Sequence, residues 1–111
     1  MQAERVARNN AIFRAANEGI ESEAQRLAIP DPIPFICECV EERCTALLRL
    51  SLADYEEIRS HPSRFVVVPG HELSEHELVV AAQNGYLVVE KQGLAGALVE
   101  EADPRGRGEE G

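Results

Sequence analysis

A chain of 111 residues with 44% hydrophobic side chains has room for one domain and a modest core. With no Trp, three Phe and two Tyr, that core must be mainly aliphatic. Twenty acidic residues against eleven basic ones give a formal charge of −9, which argues against sequence-independent binding to nucleic acid or to an anionic membrane. No run of about 18 apolar residues marks a membrane span. The opening "MQAERVARNN" lacks the apolar segment of a secretory signal, so the cytoplasm is the expected compartment. In that compartment clustered cysteines read as metal ligands or redox groups before they read as structural disulfides.

In chain order, residues 3–28 predict one amphipathic helix. Val6, Phe13, Ala16, Ile20, Ala24 and Leu27 recur at helical spacing, with Arg and Glu on the other face. That face is expected to pack on its own domain, or to meet a partner or a second copy. Three prolines in five residues, Pro30, Pro32 and Pro34, then predict an extended connector. Phe35 and Ile36 start a short strand, Thr45–Ser51 reads as a second, and all three cysteines sit at the bend between them. Ser51, with Asp54 three residues on, is an N-cap for a short helix "LADYEEIRS". "RFVVV", Arg64–Val68, reads as a buried strand. Two apolar runs around Asn84-Gly85 predict a β-hairpin, and "LAGALVEEA" a final turn or two of helix.

The expected architecture is α+β: a long N-terminal helix, then a small, mainly antiparallel sheet with a zinc-knuckle-like bend and a C-terminal β-hairpin. A single domain covers residues 1–102. Within it, 1–29 is the amphipathic helix, 30–34 the Pro-rich connector and 35–102 a zinc-stabilised sheet region. Residues 103–111 form a polar, disordered tail.

The cysteines are spaced C-x-C-x4-C. Two residues apart in an extended segment, Cys37 and Cys39 point to the same side and can meet one ion. A four-residue bend returns Cys44 to that point. Three thiolates want a fourth donor to close a tetrahedron around Zn²⁺, and no fourth cysteine exists. Of the three histidines, His71 is favoured, because "PGHE" follows a predicted buried strand and Gly70 permits a tight approach. His61 and His76 read as solvated surface; Glu72 or a residue of a second copy is the next choice. Against zinc stand two other readings: redox-active thiols, and buried thiols acting as small hydrophobes. Glu38 between the first two cysteines, with Glu41, Glu42 and Arg43 in the loop, is a polar setting for inert core residues, so zinc is favoured.

C-x-C-x4-C resembles the zinc-binding tail that follows SET methyltransferase domains, where a further cysteine completes the site. More broadly, "FICECVEERC", "LADYEEIRSHPSRFVVVPGHE" and "YLVVEK" resemble a family of small uncharacterised proteins common in actinobacteria, over roughly residues 5–102. The resemblance implies Cys37, Cys39, Cys44 and His71 as one site. Val40 stands where glycine follows the second cysteine in that family, which implies a different bend geometry with the same ligands.

Nothing in the sequence points to catalysis. His71 and His76 are five residues apart, about 140° around a helix, and cannot form the H-E-x-x-H metal site. There is no Gly-rich phosphate loop and no G-x-S-x-G elbow. The expectation is a protein-interaction module with one structural Zn²⁺ per chain. Its partner is expected to be another protein with a basic surface, or a second copy through the N-terminal helix. The alternative is a thiol-based redox or metal sensor using the same cysteines; a metalloenzyme, with three thiolates and a water at the metal, comes third.

Overall fold

The computed structural model describes residues 2–39, 41, 43–72, 77–83 and 85–103, apart from the side chains of Gln2, Ala3, Glu4, Val6, Ala95 and Ala102. The architecture is α+β. Helix α1 (Gln2–Arg26) leads into an antiparallel pair, β1 (Ile33–Ile36) with β2 (Leu47–Leu50). Helix α2 (Leu52–Arg59) connects to a second sheet of β3 (Arg64–Val67), β4 (Glu77–Gln83) and β5 (Tyr86–Lys91), and α3 (Gly93–Ala102) packs back on α1. In this second sheet the order is β3-β5-β4, all antiparallel, with β5 central. The strands thus form two small sheets rather than one, because β3 carries a full ladder only with β5.

Two apolar clusters lie beneath these elements. One gathers Phe35, Leu48, Leu50, Tyr55, Ile58 and Val88, with the Phe35 and Tyr55 rings stacked at 4.4 Å. The other gathers Phe65, Val67, Val89 and Val99, with Cys37 and Cys39 among them. The caps follow local chemistry. The Ser51 hydroxyl accepts from Asp54 N at 3.0 Å and starts α2. At the other end of α1, Ile29 N donates to Ala24 O and Ala28 N to Gln25 O, a Schellman closure that puts Ala28 at φ +53°.

The face that α1 turns inward is not the apolar stripe expected from its sequence. The residues buried along it are Ala7, Asn10, Arg14, Asn17, Glu21 and Ala24. Of the expected stripe only Ala24 is buried; Phe13 and Ile20 are half-buried, Ala16 and Leu27 are exposed, and the Val6 side chain lies outside the described residues. Hydrogen bonds to distant backbone and carboxyl groups make this polar face the inner one. Asn17 bonds the outer edge of β1 twice, donating to Ile36 O and accepting from Ile36 N, both at 2.8 Å, as a neighbouring strand would. Arg14 donates to Pro62 O at 2.7 Å and to Arg64 O, and its guanidinium lies 3.8 Å from the Phe65 ring centre.

The chain end carries a second difference. Asp103, expected to open the polar tail, is buried and accepts two hydrogen bonds from Arg59 at 2.8 and 3.2 Å. Arg14 lies 3.7 Å from the same carboxylate, and Glu18 also pairs with Arg59. Burial alone would lower the Arg59 pKa, but the hydrogen bonds it donates to Asp103 and Glu18 hold it above its ordinary value. The rest of the expected tail, 104–111, lies outside the described residues. No described helix is long and apolar enough to cross a membrane.

Candidate metal centre

The cysteine bend extends the β1–β2 hairpin. Cys37 N donates to Ala46 O at 3.0 Å, one step beyond the ladder, and Cys44 N donates to Glu41 O at 3.0 Å to close the loop. Side chains alternate along this extended piece, so Cys37 and Cys39 face one way and Glu38 the other. All three are buried and Cys44 is half-buried. Val40, the position expected to alter the bend, lies outside the described residues, as does Glu42.

His71 arrives from the end of β3. Its amide donates to Val68 O at 2.9 Å, closing a turn with Pro69 and Gly70 at the centre, and Gly70 has φ +97°. Proline then a residue at positive φ is the type II pattern, and a side chain at position 70 would be strained. The same turn brings Val68 N to Cys37 Sγ at 3.3 Å, so the strand exit touches the bend directly. Glu72 is engaged elsewhere, accepting from Gly70 N at 2.8 Å.

One potential ligand atom from each of Cys37, Cys39, Cys44 and His71 lies within 4.8 Å of every other. His71 Nδ1 is 3.6 Å from both Cys37 Sγ and Cys44 Sγ. With zinc–sulfur bonds of about 2.3 Å and zinc–nitrogen bonds of about 2.0–2.1 Å, a regular tetrahedron has a sulfur–nitrogen edge of about 3.6 Å and a sulfur–sulfur edge of about 3.8 Å. Two edges therefore already have the length a zinc ion needs, and the widest must draw in by no more than about 1 Å. The four residues are close enough to hold a metal ion, and three thiols with one imidazole are a donor set that zinc accepts. Of the other histidines, His61 is not part of the cluster and His76 lies outside the described residues. Burial pushes the Cys37 and Cys39 thiols up, so without a cation they are held as neutral thiols.

The residue between the two buried thiols is the part that spacing did not reveal. The Glu38 side chain, fully buried, accepts from Val66 N at 3.0 Å, Asn17 Nδ2 at 2.9 Å and Tyr55 OH at 3.1 Å. Its main chain donates to Val66 O at 2.8 Å and accepts from Asn10 Nδ2 at 2.8 Å. One residue thus ties the bend to α1, α2 and β3 at once. Burial raises the Glu38 pKa, while the Arg14 charge and these hydrogen bonds act the other way. The alternation in C-E-C was the available signal: a carboxylate between two inward thiols must point to the opposite side.

No family model, curated protein or solved structure matches the chain.

Proposed function

We propose that this chain is a small cytoplasmic Zn²⁺-binding protein in which the ion is structural and the folded surface serves protein–protein interaction. The observation that carries the metal half is the meeting of Cys37, Cys39, Cys44 and His71 within 4.8 Å. Thiolate and imidazole donors select a borderline-soft ion, and four protein donors leave no position for water or substrate. The ion fastens the cysteine bend to the turn after β3, joining segments about thirty residues apart. The motif resemblance to the small actinobacterial family points to the same four residues.

The interaction half rests on surface character. Ile12 on α1 and Leu27 just past its end are exposed (58% and 54%), and Ala16, Ile20, Ile29 and Pro34 line an open apolar groove of about 480 Å³ against β1. A net charge of −9 favours a protein partner with a basic surface, whose affinity falls as salt rises. Elemental analysis of purified protein tests the metal: one zinc per chain in the parent, lost in Cys44→Ser and His71→Ala. Absence of zinc from the parent contradicts the reading. Pull-down and light scattering test the rest, and a partner-free monomer contradicts the interaction role.

A further inference from the structure

The four donors of the candidate site are not equally protected. Cys37 and Cys39 are 0% and 1% exposed, sealed against Phe65, Val67 and Val89. Cys37 also accepts the Val68 amide, and a hydrogen bond of this kind draws charge from a thiolate and makes it a poorer nucleophile. Cys44 is half-buried at the end of the loop, and among the described residues its sulfur contacts His71 Nδ1 and no backbone amide. Its chain neighbours Arg43 and Thr45 are exposed. Three thiolates around a divalent ion, with a neutral imidazole, leave the site one negative charge in excess. That excess resides on sulfur and raises its reactivity.

We propose that Cys44 is the thiolate through which hydroperoxides open this site, releasing the metal and freeing the His71 turn from the cysteine bend. The inference rests on the zinc reading above and names how that site is regulated. The Cys44 thiolate attacks the outer oxygen of the hydroperoxide. A sulfur–oxygen bond forms as the oxygen–oxygen bond breaks, and the alkoxide leaves as an alcohol after taking a proton from solvent. The product is a sulfenic acid. Cys37 or Cys39 then displaces its oxygen as water and forms a disulfide with Cys44, the ligand atoms starting within 4.8 Å of one another. One hydroperoxide is reduced, two thiols are oxidised, and two of four donors are gone. The bend then keeps its Glu38 anchor, while the turn at His71 keeps the Val68 contact with Cys37 and loses the shared ion.

The test treats zinc-loaded protein with substoichiometric hydrogen peroxide in the presence of a sulfenic-acid trap, with a chromophoric chelator reporting free zinc. Peptide mapping is expected to find Cys44 labelled about tenfold more than Cys37 or Cys39, with zinc release following the label. Cys44→His keeps a fourth donor but removes the nucleophile, and is expected to release zinc about tenfold more slowly under the same peroxide. First labelling at Cys37 or Cys39, or release from Cys44→His as fast as from the parent, overturns the proposal and leaves the zinc reading standing. If Cys44→His does not hold zinc, the labelling order in the parent decides. A parent that carries no zinc overturns the zinc reading, and this inference with it.

Discussion

The β3-β5-β4 sheet and the cysteine bend lie side by side and are held by different forces. In the sheet, Val66, Val67, Val88 and Val89 pair across β3 and β5 and are buried by an ordinary apolar core. In the bend, the buried groups are thiols and a carboxylate, and the contacts are hydrogen bonds to Asn10, Asn17, Tyr55 and Val66. A sheet of this kind forms from sequence pattern alone. The bend is held by these polar partners, and its three thiols and one imidazole are close enough to hold an ion as well.

Removing the metal should widen that difference most. Structural zinc contributes about 10–16 kcal/mol of apparent binding energy in small peptides, so chelation of zinc-loaded protein should lower the melting temperature by tens of degrees. Hydrogen exchange should rise first at residues 37–39, 43–44 and 68–71, and later in β5. Uniform loss of protection would mean that the two regions form one unit.

Next in size is the buried ion cluster that joins α1, α2 and the end of α3. Asp103→Ala removes the carboxylate that Arg59 and Arg14 share, leaving Arg59 with Glu18 alone, and should cost about 3–5 kcal/mol in urea unfolding, with zinc content unchanged. Asn17→Ala removes three hydrogen bonds at the bend and should cost about 1–3 kcal/mol. Unlike Asp103→Ala, it should also weaken zinc affinity in chelator competition. Equal zinc affinity in the two variants would show that α1 does not support the bend. The smallest effect has the opposite sign. Ala28 sits at φ +53°, where glycine is unstrained, so Ala28→Gly should raise stability by up to about 1 kcal/mol.

These two regions also mark how far the sequence could be read. "RFVVV" and "YLVVEK" became β3 and β5 because β-branched runs bury themselves wherever they pair. The meeting of Cys37, Cys39, Cys44 and His71 was legible because strand alternation and a Pro-Gly turn fix where Cys37, Cys39 and His71 point. The inner face of α1 was not legible. A count of apolar residues at helical spacing finds Phe13 and Leu27, whereas Asn10, Arg14 and Asn17 are buried by partners 19 to 50 residues away. Asparagines within a helix carry a small signal, since they are poor helix formers and remain where a partner holds them. Asp103 gave no signal, because a lone acid beside a Gly-rich segment resembles any solvated tail until Arg59 is placed against it.

In the proposed site three sulfurs and one imidazole nitrogen close around a single zinc ion. X-ray absorption at the zinc edge on purified protein measures that shell directly. Three sulfur neighbours at about 2.3 Å and one nitrogen at about 2.0–2.1 Å are expected, with the nitrogen signal lost in His71→Ala. A shell dominated by oxygen, or one with fewer than three sulfurs, would contradict the proposal.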